Sequence, residues 1–320
     1  MKFLSSLFRL LVRLVDLVWK NPDRPLARPL PNPIAWLRHR YFKKSVKARR
    51  LRWLEKEVAK AKANYPKQIE RIKRKIKEGG RVRVLFVVDE LAKWKAESLY
   101  LLLQKDERFE PVICLGLPTV TFGVAPRETA LHISQTEKWF RDRNYKVVRL
   151  YDAFKNKLLP IEPLEPDIVF YPEVWYDTTL HLPSRISKIA LTCYIPYFVP
   201  NYVDVFLDCK QEMHRLYWRH FVLNEELVTL YESATHDCIM AGKFVGLGHT
   251  MFDEISASSG GGTDCVRPKC VIYAPHWTFN HPNNPSRLHY STFAEFGNNI
   301  LNYAKNHREF DWVFRPHPGV

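Results

Sequence analysis

The sequence predicts an α/β fold. A doubly wound parallel sheet spans residues 81–262, the beginning of a second such unit spans 263–320, and a basic helical segment precedes both. Three observations predict this. From Arg81 onward, short runs of β-branched residues alternate with stretches of helical periodicity, the pattern of strand–helix–strand units. The 320 residues, 46% of them hydrophobic, suffice for about two domains with a sizeable core. The charge is unevenly divided: residues 1–80 hold 23 of the 49 Lys and Arg but 6 of the 34 Asp and Glu, so the net +15 belongs to the amino-terminal segment.

Residues 1–22 read as an amphipathic helix. Lys2, Ser6, Arg9, Arg13, Asp16 and Lys20 share one face, and Leu4, Phe8, Leu11, Val12, Val15, Val18 and Trp19 cover much of the rest. Arg9 and Arg13 interrupt the apolar run too often for a bilayer span, and no small-residue cleavage site follows. The composition suits an anionic membrane surface; docking on the protein's own core is the alternative. Prolines at 22, 25, 29, 31 and 33 then stop any helix, so residues 23–80 read as a basic Pro-rich linker and helical segment. The helical pattern resumes over 35–78, with Pro66 expected to break or kink it. Lys43, Lys44, Lys47, Arg49, Arg50 and Arg52 make the segment strongly basic. It reads as a solvated helix or hairpin, or as a charged surface beside an anionic leaflet. Few aromatics interleave these cations and no nucleic-acid-binding motif is present, so nucleic acid is not expected as a partner.

The α/β region begins with a buried strand over Arg81–Asp89. A helix is expected at 95–105, a strand at Pro111–Leu115, a helix at 126–143, and strands at Tyr145–Leu150, Pro166–Tyr171, Ile189–Tyr194 and Asp204–Asp208. Ser256–Gly262 reads as a linker. Strands at 270–274 and 311–315 are expected to pair in parallel across a helix at Ser291–Asn306. No Gly-x-Gly-x-x-Gly follows the first strand and no Walker A sequence occurs, which argues against a dinucleotide dehydrogenase or a P-loop enzyme. Ligands of such sheets gather outside the carboxyl ends of the strands, so Asp89, Glu90, Lys93, Tyr171, Glu173, Trp175, Tyr194, Pro196 and Tyr197 are cleft candidates. The aromatic stretch around His214 and His220 reads as core and helix surface. The six cysteines form no Cys-x-x-Cys pair and read as reduced thiols, and no metal-ligand spacing is present.

Three segments carry a family resemblance: Ala241–Glu254 (AGKFVGLGHTMFDE), Cys270–Phe279 (CVIYAPHWTF) and Asp311–Pro318 (DWVFRPHP). Together they resemble motifs of the CDP-glycerol glycerophosphotransferases, the teichoic-acid-type polyol-phosphate transferases. The resemblance implies a GT-B-like fold of two facing Rossmann-like domains. Residues 81–262 would form the acceptor-side domain and 263–320 the truncated start of the nucleotide-donor domain. It implies transfer of a polyol phosphate from a CDP-activated donor to a polymer or lipid-linked acceptor, with no separate cofactor and no metal. It also implies a cytoplasmic location, peripheral on the inner face of the membrane. His317 would then be the catalytic acid/base, with Arg315, His276 and Trp277 at the donor. Asp89, Glu90, Glu173, Tyr194 and Tyr197 would line the acceptor side. The sequence departs from that family at Thr192–Tyr197, where the family's Trp-His-Gly motif has no counterpart. The fold pattern alone equally admits a nucleotide-sugar glycosyltransferase of GT-B architecture, or a non-catalytic membrane-binding α/β fragment. A donor screen separates these.

Overall fold

The computed structural model describes residues 33–116, 126–152, 155–173, 180–199, 212–235, 242–253, 270–275 and 291–315, with side chains from Arg49 onward. The chain forms two compact units, residues 1–56 and 57–320. Helix α1, Pro33–Lys77, begins in the first and ends in the second. Among the described residues no helix is long and apolar enough to cross a membrane.

In the second unit, α1 is not a solvated appendage. Ala61, Tyr65 and Ile72 are buried in the main core. Two of its cations converge on Asp167, a fully buried carboxylate: Arg71 Nη1 lies 2.7 Å from Oδ1 and Lys75 Nζ 2.6 Å from Oδ2. The Arg83 amide also donates to Asp167, at 2.7 Å. The helix runs through Pro66 without the expected break. A proline inside a helix costs about 3 kcal/mol, and burial of Tyr65 and Ile72 on either side outweighs it.

The strands are β1 (Val82–Val88), β2 (Phe109–Leu115), β3 (Val147–Arg149), β4 (Tyr151–Asp152), β5 (Lys157–Leu158), β6 (Ile168–Tyr171), β7 (Leu191–Tyr194), β8 (Arg219–Val222) and β9 (Phe244–Gly246). Seven form one parallel sheet in the order β3-β2-β1-β6-β7-β8-β9, while β4 and β5 form a small antiparallel ribbon. Among the described residues four helices intervene: α2 (Glu97–Lys105), α3 (Pro126–Arg141), α4 (Pro183–Ile186) and α5 (Glu225–Thr235). Strand β1 is buried on both faces, which is why it reads as a continuous apolar run. Val82, Val84, Phe86 and Val88 join one core cluster with Tyr100 and Phe140. Leu85 and Val87 join a second cluster with Tyr171, Tyr194 and Tyr217 on the opposite face. The fold is therefore the expected α/β, Rossmann-like architecture.

Two strands lie where helix or motif was expected. The stretch around His214 and His220 is a 3-10 turn at Glu212–Leu216 followed by β8, in which His220 and Val222 are buried. Its dense aromatics hid the period-two pattern. Phe244–Gly246 is the edge strand β9. Asp204–Asp208, the N-terminal helix over 1–22 and the linker 256–262 lie outside the described residues. A separate parallel pair, β10 (Cys270–Tyr273) and β11 (Asp311–Phe314), is joined by α6 (Phe293–Asn306), in the register Cys270 to Asp311 and Tyr273 to Phe314. Phe293 stacks on Phe314 at 5.7 Å, as the strand–helix–strand reading requires.

Candidate functional site

Strand order reverses between β1 and β6: the chain leaves β1 toward β2 and returns to build β6 on its other side. The crevice outside their carboxyl ends is the place where such sheets bind ligands. Asp89 and Glu90 follow β1, a 3-10 turn at Leu91–Lys93 comes next, and Glu173 follows β6.

These side chains converge on one ammonium. Lys93 Nζ lies 2.7 Å from Glu173 Oε2, 3.0 Å from Asp89 Oδ2 and 3.2 Å from Glu90 Oε1. The Lys93 side chain is 11% exposed, and those of Asp89 and Glu173 are 1% and 0% exposed. Burial pushes Glu173 up to about 8, with the neighbouring Asp89 charge adding to burial and Lys93 opposing both. Both carboxyls lie against the one Lys93 ammonium, and burial together with the Asp89 charge favours the protonated form of Glu173. Burial also works against the Lys93 charge, but Asp89, Glu173 and Glu90 outweigh it and hold the ammonium above its ordinary value. Tyr197 places its ring 5.8 Å from Nζ, and its amide donates to Pro172 O at 3.1 Å. Tyr217 donates its hydroxyl to the Glu173 carbonyl at 3.1 Å and so fixes the backbone that carries the acid. The arrangement is two buried carboxyls beside a fixed cation, which suits proton transfer with stabilisation of developing negative charge.

Beside this cluster, at the carboxyl ends of β6 to β9, lies a cavity of about 210 Å³. Phe170, Ile195, Phe221 and Leu99 form its apolar walls, and the segment Leu247–Asp253 closes it. His249 bolts that segment in place: Nε2–H donates to Pro196 O at 2.8 Å, and Nδ1 accepts from the Met251 amide at 3.2 Å. Thr250 donates its hydroxyl to Lys95 O, and Ser98 donates to Asp253 Oδ2.

The structure thus brings together Asp89, Glu90, Glu173 and Tyr197 of the sequence candidates, around Lys93. Tyr194 lies elsewhere. Its ring is buried in the core against Tyr217 at 5.6 Å, His214 at 5.2 Å and His220 at 5.6 Å. Tyr171 is likewise buried, donating to His181 O at 3.0 Å. Tyr194 fails as a cleft residue because the last residue of its parallel strand still points into a covered face, whereas Tyr171 lines the recess beside Lys93. Arg315 is exposed at the carboxyl end of β11, and its amide donates to Tyr273 O at 2.9 Å. His317, His276, Trp277 and Trp175 lie outside the described residues. Sequence reasoning missed Phe170 and Phe221, and it took the His249–Asp253 segment only as part of the motif Ala241–Glu254, not as a wall of the site. Among the described residues no cluster of His, Cys, Asp and Glu is able to hold a metal ion.

No protein-family model matches the chain, and no curated protein matches it. Solved structures do. The Staphylococcus aureus MnaA–UDP complex has 11% identity over 74% of this chain and 62% of that chain, at a TM-score of 0.43. A putative UDP-N-acetylglucosamine 2-epimerase from Listeria monocytogenes has 12% identity over 75% and 63%, at 0.41. The Neisseria meningitidis UDP-GlcNAc 2-epimerase bound to UDP-GlcNAc has 15% identity over 74% and 66%, at 0.40. The chain thus spans less than two-thirds of their length. At these identities the likeness is one of α/β architecture alone. The resemblance to CDP-glycerol glycerophosphotransferases is not upheld, because these matches are to UDP-GlcNAc 2-epimerases and no family model recognises the three motifs. The CDP-activated polyol donor, the glycerophosphotransferase activity and the teichoic-acid setting fall with it.

Proposed function

We propose that this chain binds a nucleotide-activated sugar at the carboxyl edge of its parallel sheet and acts on it by acid–base chemistry. Glu173 and Asp89 exchange the proton, and Lys93 stabilises the charge that develops. One observation carries the reading: a pair of buried carboxyls on a single ammonium, placed where strand order reverses. Structural ion pairs have no need of a carboxyl held near 8, whereas a group that gives and takes protons near neutral pH does. The excess of carboxylates suits a hydroxyl-bearing group and repels phosphate, so a diphosphate needs a cation from elsewhere. Exposed Arg315 is our candidate for it.

The UDP and UDP-GlcNAc complexes among the solved structures supply the first ligands to try. Binding is read by calorimetry and turnover by product analysis over a panel of nucleotide sugars. Glu173→Gln keeps the shape of the protonated acid but transfers no proton, so turnover falls by roughly 100-fold while binding persists. Absence of binding across the panel, or unchanged turnover in Glu173→Gln, refutes the proposal.

A further inference from the structure

The acid–base cluster does not account for the cavity beside it, walled by Phe170, Ile195, Phe221, Leu99 and the segment Leu247–Asp253. We propose that this cavity is the subsite for the sugar ring itself, a polyhydroxylated ring with one apolar face, and that Asp253 is its specificity-determining carboxylate. The inference rests on the nucleotide-sugar reading and deepens it.

Size sets the first limit. About 210 Å³ falls below the roughly 300–1,000 Å³ of pockets that hold drug-sized ligands. The cavity therefore takes one ring and not a complete nucleotide sugar. Wall chemistry sets the second. Phe170 and Phe221, with ring centroids 6.0 Å apart, offer an aromatic surface, and Leu99 and Ile195 extend it. Such a surface suits the C–H face of a sugar ring. At the rim stands Asp253, fixed by the Ser98 hydroxyl on Oδ2. A carboxylate accepts hydrogen bonds from adjacent hydroxyls and offers nothing to an anion. A purely aliphatic occupant would offer that carboxylate no donor beyond Ser98, and a phosphate would meet it as a like charge.

Position and rigidity complete the case. Phe170 and Ile195 line both this cavity and the smaller recess that holds Lys93, so a ring seated here lies next to the acid–base cluster. The closing segment is tied to three neighbouring elements. Leu247 N–H bonds to Val222 O at 3.1 Å and Gly248 N–H to Leu223 O at 2.9 Å. His249 ties the segment to Pro196, and Thr250 ties it to Lys95. The wall is formed before any ligand arrives, which lowers the ordering cost of binding.

The test compares UDP with UDP-N-acetylglucosamine on wild type, Asp253→Asn and Phe221→Leu. Thermal melts exclude gross misfolding. If the cavity holds the sugar ring, both variants bind the nucleotide sugar about tenfold or more weakly, as expected for loss of a charged hydrogen-bond acceptor or a stacking face, and bind UDP as wild type does. Equal losses for UDP and the nucleotide sugar would place the base in the cavity and overturn the inference, leaving the acid–base proposal standing. Unchanged affinity for both would also overturn it. If wild type binds neither nucleotide, free N-acetylglucosamine followed by NMR decides the matter. Shifts at Leu247 and Gly248 that Asp253→Asn abolishes uphold the subsite, and no shifts refute it.

Discussion

Replacing Lys93 by Met tests whether the carboxyl cluster is as strained as its geometry implies. Methionine keeps most of the side-chain length and removes only the ammonium, so Asp89, Glu90 and Glu173 lose their common partner. Exposed ion pairs contribute about 0–1 kcal/mol, but removing one member of a buried pair costs about 3–5 kcal/mol. With Asp89 and Glu173 at most 1% exposed, the second figure applies. The cost must also depend on pH. Burial raises Glu173 from its ordinary 4.5 to about 8, so the folded state binds the extra proton, and Glu173 favours folding fully below about 4.5. That contribution is lost as pH rises through about 8. Lys93 opposes the shift, so in Lys93→Met the folded value lies higher still. Urea denaturation of both proteins between pH 5 and 9 reads the difference. We expect the variant to be destabilised by about 3–5 kcal/mol at pH 9 and by clearly less at pH 5, with a steeper decline than wild type in between. A pH-independent deficit, or one below about 1 kcal/mol throughout, would show that the cluster is solvated and would remove the basis of the acid–base assignment.

Other perturbations probe the frame around the site. Asp167→Ala leaves Arg71, Lys75 and the Arg83 amide without their common acceptor and should cost about 3 kcal/mol in denaturant midpoint at unchanged slope; a loss under 1 kcal/mol would mean that α1 is not anchored through it. Gly248 has φ +91°, so Gly248→Ala should cost about 1–2 kcal/mol of stability by calorimetry, and near-neutrality would show that the cavity wall is free to move. Burial pushes the Cys114 thiol up to about 12 and the Cys193 thiol further, whereas Cys270 is exposed. Mass spectrometry after brief alkylation at pH 8 should therefore find Cys270 labelled and Cys114 and Cys193 untouched until denaturant is added.

What the sequence shows of this protein follows burial. Strand β1 is legible because both of its faces are covered and all of its residues but Arg83 are apolar. The pair β10 and β11 is legible for a similar reason, with a helical stretch of the right length between. Strand β8 is not, because Tyr217, Trp218 and Phe221 surround His220 with apolar bulk at every spacing. At the site, Asp89, Glu90 and Glu173 are found by the rule that loops after parallel strands meet ligands. The same rule wrongly admits Tyr194, which still belongs to its strand. No local pattern announces that Lys93 gathers three carboxylates. That depends on β6 lying beside β1, a pairing between residues some 80 positions apart.

The turn after β1 bears on the kind of ligand proposed for this edge. Dinucleotide-binding sheets leave a glycine-lined gap there, so that phosphate reaches the amide groups at the start of the next helix. Here the 3-10 turn Leu91–Lys93 fills that gap, and α2 begins with Glu97 in its first turn. The Glu97 carboxylate accepts from Trp94 Nε1 at 2.8 Å and from the Tyr145 hydroxyl. The positive end of α2 therefore already has an anion, supplied by the chain and held by two aromatic donors. A phosphate would have to displace it and then face Asp89, Glu90 and Glu173 across the crevice. A sugar hydroxyl faces no such opposition and finds acceptors on every side. If Glu97 is what keeps phosphate out, Glu97→Gln should let millimolar inorganic phosphate raise the melting temperature of the variant and leave that of wild type unchanged. Equal responses would show that the carboxylate does not guard the helix end, and that another feature of this edge decides between hydroxyl and phosphate.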